Sequence, residues 1–125
     1  MMRLGAQARD LMLATAQGQL NTAKINWAGD HALTVVLATQ GYPGAYQKGS
    51  EIKGLDDLTF DSQQMVFHAG TKQEGTTLRA NGGRVLNVTA RAETLSAAQS
   101  RAYELLEKID WPDGFHRTDI GWRAL

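Results

Sequence analysis

The sequence predicts a single small α+β domain: a largely antiparallel or mixed sheet with one helix near each end of the chain. Three observations predict it. Two stretches, one early and one late, carry apolar residues at helical spacing. Between them lie several short runs rich in β-branched and apolar residues. The connections between those runs are short and glycine-rich, leaving no room for the crossover helices of a doubly wound fold. A length of 125 residues fits one ordinary domain.

In the first element, Leu4, Ala8, Leu11, Met12 and Thr15 recur at helical spacing, and Gly18 is placed to end the helix because glycine accepts a left-handed backbone. Its apolar face must be covered by this domain's own sheet or by a partner. Lys24-Ile25-Asn26-Trp27 alternates polar and apolar as a half-buried strand does, and Gly29-Asp30 is a turn. His31 to Thr39 reads as a central strand. Its β-branched centre favours strand over helix, and the continuous run from Val35 to Ala38 predicts burial on both faces.

After the loop from Gln40 to Gly49, Glu51–Leu55 reads as a short strand, and Asp56-Asp57-Leu58 as a polar turn or a single helical turn. Met65–Gly70 is a further strand. Lys72–Gly75 reads as a charged turn with Thr76–Ala80 as hairpin partner, and Asn81-Gly82 is a strong hairpin signal. Arg84–Ala92 is a strand with Val85, Asn87, Thr89 and Arg91 on one face and Leu86, Val88 and Ala90 on the other.

The last helix places Leu95, Ala98, Ala102, Leu105, Leu106 and Ile109 on one stripe. Thr94 is suited to cap its start, with Ser96 and Gln99 as an alternative capping box. Glu104 and Lys108 form a favourable i, i+4 pair, and Pro112 stops the helix. The tail from Asp113 to Leu125 has no periodicity.

Lysine plus arginine and aspartate plus glutamate both number 13, so the net charge is zero and there is no global electrostatic case for nucleic acid or an anionic membrane. The absence of cysteine excludes disulfide scaffolds, thiol catalysis and thiolate metal sites. No apolar run is long enough to span a bilayer, and the first seven residues lack the apolar stretch of a signal peptide. A cytoplasmic location is the expectation.

Candidate functional residues lie in the glycine-rich loops. Gly41-Tyr42-Pro43-Gly44 reads as a binding loop or as a rigid surface connection. His68, before Ala69-Gly70-Thr71, fits a ligand contact at a strand end, and also fits a structural histidine bonded to a nearby carbonyl. Asn81-Gly82-Gly83-Arg84 fits a phosphate or carboxylate cradle in which free N–H groups and a guanidinium attract an anion; it also fits a turn followed by a surface arginine. Isolated histidines without HxH or HExxH spacing give no zinc site, and no catalytic carboxylate pair, GxSxG or P-loop is evident. The residues by themselves name no reaction, catalytic group or metal ligand.

Taken together the motifs are more specific. GYPGAYQKGSEIKGL (41–55), VFHAGTK (66–72), NGGRVLNVTA (81–90), the Ala98–Tyr103 segment and FHRTDIGWRAL (115–125) occur in one order and spacing. This closely resembles the C-terminal domain of the phosphoribosylamine–glycine ligase (glycinamide ribonucleotide synthetase) family. Ala45, Asn87 and Arg91 depart from that pattern. The resemblance implies a fold like the C-terminal domain of biotin carboxylase, a rudiment single hybrid motif. Residues 1–18 would be a helix leaving an ATP-grasp region, and 19–125 the C-terminal domain.

It also implies an ATP-grasp ligase of de novo purine synthesis, which joins glycine to 5-phosphoribosylamine through an acyl phosphate. ATP and Mg²⁺ or Mn²⁺ would be held upstream, with no cofactor in this segment. The partners implied are the N-terminal and ATP-grasp domains of the same polypeptide and the substrates glycine and 5-phosphoribosylamine, with neither nucleic acid nor membrane. The segment alone would be inactive, contributing substrate positioning and interdomain packing. The substrate-binding residues would be Gly41, Tyr42, Pro43, Gly44, His68, Gly70, Thr71, Asn81, Gly82, Gly83 and Arg84. The alternative is a free-standing small-molecule, anion-binding or interaction module of the same fold.

Overall fold

In the computed structural model, which describes residues 2–125, the run HALTVVLAT forms β1 (His31–Thr39). It pairs antiparallel with β5 (Arg84–Ala92). The far edge of β5 carries β2 (Gln64–His68), and the far edge of β1 carries the short β6 (Gly114–Phe115). The sheet order is therefore β2-β5-β1-β6, with every pairing antiparallel. The α+β expectation holds.

Side chains alternate across this sheet. Leu33, Val35 and Leu37 of β1 and Leu86, Val88 and Ala90 of β5 face α2 (Leu95–Leu106) and are buried. The helix answers with Ala98, Ala102, Leu105 and Leu106, the stripe its spacing predicts. Its small alanines let it sit close to the strands, and Ile52, Val66 and Trp111 extend the same core. The Thr94 side chain accepts the Ala97 N–H at 3.2 Å, as a capping threonine should. The helix stops at Leu106, so Lys108 lies beyond its last turn and Pro112 well past it. The pair Glu104–Lys108 is thus not made between two helical residues.

Burial of β1 on both faces is corrected. Thr34 and Val36 are exposed, because α2 packs on only one face of the sheet. The segment Lys24–Trp27 is not a strand. Instead, the Asn26 backbone exchanges hydrogen bonds with the Gln7 side chain, and the Ala28 N–H donates to the Arg3 carbonyl at 3.1 Å. These bonds fold it back on the start of α1 (Gln7–Ala16). No residue of α1 is buried; Met12 and Leu13 are exposed. Residue 1 of the expected 1–18 segment lies outside the described residues. Gly18 has a positive φ of 69°, the left-handed turn expected just after a helix.

Lys72–Gly75 is not a turn either. β3 (Thr71–Glu74) and β4 (Thr77–Ala80) form an antiparallel ribbon closed by Gly75-Thr76, with Gly75 at φ 60°. Glu74 pairs with Arg79 across the ribbon at 3.1 Å and with Lys72 along its own strand at 2.7 Å, which gives that polar stretch a reason to extend. Asn81-Gly82 then closes no hairpin: it carries the chain from β4 in the ribbon to β5 in the main sheet. Glu51–Leu55 runs as isolated bridges, Glu51 to Arg79 and Lys53 to Asp110, rather than as a strand.

On the open face, Arg91 donates to Asp30 at 2.6 Å, both side chains largely covered. The Arg91 hydrogen bond holds the Asp30 carboxyl below its ordinary range. This ion pair therefore stabilises the fold fully above the pKa of an unfolded aspartate, and its contribution is lost as pH falls through the lowered folded value. Asp30→Asn should remove that part of the acid sensitivity, read as a flatter dependence of the urea midpoint on pH below the carboxylate range. In the core, Leu86→Ala should cost about 2–5 kcal/mol in denaturant unfolding because the site is closed on all sides.

Candidate functional site

The glycine-rich loops meet at one end of the open face, and the backbone shows why they need glycine. Register slips between β1 and β5, so that Leu37 faces Leu86 but Ala38 faces Arg84. Val85 is the extra residue, fully buried, and its carbonyl accepts the N–H groups of Ala69 and Gly70 at 3.0 and 3.1 Å. Such a bulge re-aims its neighbours, and here it sends Arg84 to the open face beside Ala38 and Val36.

Gly70 lies against this bend. A Cβ there would stand 2.6 Å from the Arg84 carbonyl and 2.9 Å from Gly82 Cα, so only glycine fits. The Asn81 N–H donates to the Gly70 carbonyl at 2.7 Å. Thr39, buried at the end of β1, joins the third loop: its N–H donates to the Gly83 carbonyl at 2.8 Å and its hydroxyl to the Gly82 carbonyl at 2.7 Å. The Thr39 carbonyl accepts the Tyr42 N–H at 3.0 Å, starting the turn at Gly41, where φ is 94°. The Tyr42–Pro43 peptide is cis. The Tyr42 ring lies on Gly83, filling the space a Cβ would need, and Tyr46 meets it edge-on with 6.1 Å between centroids.

The result is two adjoining depressions that share Val36, Tyr42 and Arg84. One, of about 660 Å³, is bounded by Ala69, Gly70, Asn81, Gly82, Gly83 and Asn87. The other, of about 300 Å³, has a more apolar floor that includes Ala38, Pro43, Phe115 and Ile120, with His116 and Arg117 at its rim. Arg117 is engaged by both Asp119 oxygens at 2.7 and 2.8 Å, which holds the Asp119 carboxyl below its usual range. Among the described residues Arg84 makes no ion pair, and the N–H groups of Gly82 and Gly83 have no hydrogen-bond acceptor. A guanidinium beside free amide N–H groups is chemistry suited to a phosphate or carboxylate.

The structure brings together Tyr42, Pro43, Gly70, Asn81, Gly82, Gly83 and Arg84 of the expected residues. Gly41 and Gly44 support the loop without lining either depression. His68 and Thr71 stand elsewhere. His68 pairs across from Leu86, on the α2 side of the sheet, and its Nδ1 is 3.0 Å from the Thr71 hydroxyl. It borders a separate polar cavity of about 490 Å³ with Glu51, Lys53, Asp56 and Gln73. The period of two along β2 makes this separation, because His68 and Phe67 must face opposite ways.

Thr39, Val36 and the tail residues Phe115 and Ile120 were not singled out by the sequence as site residues. A threonine closing a buried strand just before a glycine turn is a usable signal for Thr39; the tail, without periodicity, offers none. Among the described residues no group of three or more His, Asp or Glu is placed to hold a metal ion. No described helix is long and apolar enough to cross a membrane.

Comparison with known proteins adds the lineage. The family described as "Phosphoribosylglycinamide synthetase, C domain" matches residues 32–123, from β1 into the tail. The chain belongs to this family. All 125 residues align at 52% identity with phosphoribosylamine–glycine ligase of Mesorhizobium japonicum, and over the whole chain at 47% with the enzyme named as chloroplastic from Arabidopsis thaliana. The crystal structure of phosphoribosylamine–glycine ligase from Thermotoga maritima superposes with a TM-score of 0.69 at 33% identity, over 88% of this chain and 27% of that one. The chain spans 29% of the length of the Mesorhizobium relative and 24% of the Arabidopsis one. Both depressions lie within the family's matched residues, whereas α1 precedes them.

The Tyr42–Gly83 contact can be tested. Gly83→Ala should displace the Tyr42 ring and cost about 1–3 kcal/mol by overpacking, measured by denaturant unfolding together with the near-ultraviolet dichroism of tyrosine.

Proposed function

We propose that this chain is the C-terminal domain of an ATP-dependent ligase that joins glycine to 5-phosphoribosylamine, and that its open sheet face binds the phosphate-bearing substrate. The observation that supports this most is the convergence of three glycine-rich loops on Arg84, a cation with no ion-pair partner among the described residues, inside the region that matches the ligase C domain. Arg84 and the free N–H groups of Gly82 and Gly83 serve as donors to the phosphate. Tyr42 and Pro43 form the wall that orients the rest of the molecule and excludes water. Gly70 and Asn81 keep that wall in place through their mutual backbone bond.

ATP, with Mg²⁺ or Mn²⁺ held by residues upstream, would supply the phosphoryl group that activates the glycine carboxylate. The N-terminal and ATP-grasp domains of the same polypeptide are the proposed partners, and the exposed apolar residues of α1 are suited to pack on them. Residues 1–18 would then be the helix leaving the ATP-grasp region. His68 and Thr71 do not share a depression with Arg84, so this reading gives them no part in holding the phosphate. The proposed location is cytoplasmic; the Arabidopsis relative is named as chloroplastic.

In the full-length ligase, Arg84→Ala should raise the KM for 5-phosphoribosylamine by roughly 10–100-fold, the equivalent of losing one charged hydrogen bond. The KM for ATP should not move. An unchanged KM for the ribosylamine would refute the anion role. Residues 1–125 expressed alone should show no glycine-dependent ADP formation; robust turnover would place the catalytic groups within this chain.

A further inference from the structure

We propose that Asn81 is a site of spontaneous deamidation, and that the carboxylate so formed opposes anion binding at Arg84. The chemistry needs an asparagine whose amide is free and a following residue whose nitrogen can reach it. Asn81 is exposed, and its side-chain amide makes no hydrogen bond among the described residues. The next residue is Gly82, which has no side chain to obstruct the approach, and whose N–H has no acceptor among those residues.

The sequence holds three other asparagines, and each is shielded in a way Asn81 is not. Asn21 precedes β-branched Thr22 within a short 3₁₀ turn. Asn26 precedes the bulky Trp27, whose side chain obstructs attack by its own nitrogen. Asn87 precedes Val88 in the middle of β5, between β1 and β2.

The reaction balances with water as the co-reactant. The Gly82 nitrogen attacks Asn81 Cγ; the N–Cγ bond forms, the Cγ–Nδ2 bond breaks, and ammonia departs with the proton that Gly82 loses. Water then opens the five-membered succinimide at either carbonyl, leaving aspartate or isoaspartate. Nothing is oxidised or reduced. The new negative charge lines the same depression as Arg84, so it repels an incoming anion and offsets the guanidinium. An isoaspartyl backbone also lengthens the chain between the Asn81–Gly70 bond and the two carbonyls that Thr39 holds.

The effect on substrate rests on the reading of Arg84 given above; the modification itself does not. The test holds the full-length ligase at mildly alkaline pH and follows its peptides by mass spectrometry, with an isoaspartate-specific methyltransferase as second probe. The Asn81 peptide should show the amide-to-acid mass gain well ahead of the Asn21, Asn26 and Asn87 peptides, and Asn81→Gln should suppress it. Conversion at Asn81 no faster than at the other three would overturn the site. Asn81→Asp should show a KM for 5-phosphoribosylamine severalfold above that of Asn81→Gln. Equal values, with Arg84→Ala still raising KM, would overturn the carboxylate's effect. If Arg84→Ala is also silent, the Arg84 reading fails and the claim that the carboxylate weakens substrate binding falls with it, while the mass result decides the site.

Discussion

Buried where β1 and β5 slip register, Val85 serves the core and the loops at once. Its side chain has no exposed surface, and its carbonyl takes both the Ala69 and the Gly70 N–H. Without the extra residue, strict alternation would continue through the end of β5 and set Arg84 on the α2 side, where a guanidinium would have to be buried. With it, Arg84 reaches the open face, and Gly70 is drawn so close to Gly82 and the Arg84 carbonyl that Gly70 has no room for a side chain. The apolar packing that stabilises the sheet thus also decides where the only charge shared by both depressions stands.

Thr39 completes the arrangement from the other strand. A buried threonine normally needs a partner for its hydroxyl, and here the partner is the Gly82 carbonyl, while the Thr39 amide takes Gly83. Two loops far apart in sequence are held by one residue of the core. Their relative position is therefore as rigid as the sheet end, which is what an anion site requires if its free N–H groups are to stay aimed without reorganising.

The one-sided sheet has a second consequence. α2 covers the face carrying Leu33, Val35, Leu86 and Val88, while the other face keeps Val36, Met65 and Phe67 exposed. α1 has no buried residue of its own. An uncovered apolar sheet face and an unpartnered helix suit a chain that spans 29% of a longer relative.

Much of this was legible in the sequence, and the boundary is physical. The β-branched run His31–Thr39, the alternation of Arg84–Ala92, the alanine and leucine stripe of α2 and the Thr94 cap depend on spacing of neighbours, which sequence carries directly. The glycine loops and Arg84 were visible as candidates for the same reason. Local pattern misplaced what depends on distant partners. Lys72–Gly75 looks like a charged turn until Arg79 and Glu74 pair across the ribbon, and Asn81-Gly82 looks like a hairpin until its strands are seen in different sheets. Lys24–Trp27 alternates like a strand, yet its hydrogen bonds go to Gln7. The sequence by itself determined that His31–Thr39 and Arg84–Ala92 extend, that Leu95–Leu106 coils and which residues have anion-binding chemistry. Tertiary structure alone decided that His68 and Arg84 face opposite sides of the sheet, because that choice rests on pairing register and a single bulged residue, neither of which leaves a mark in local spacing.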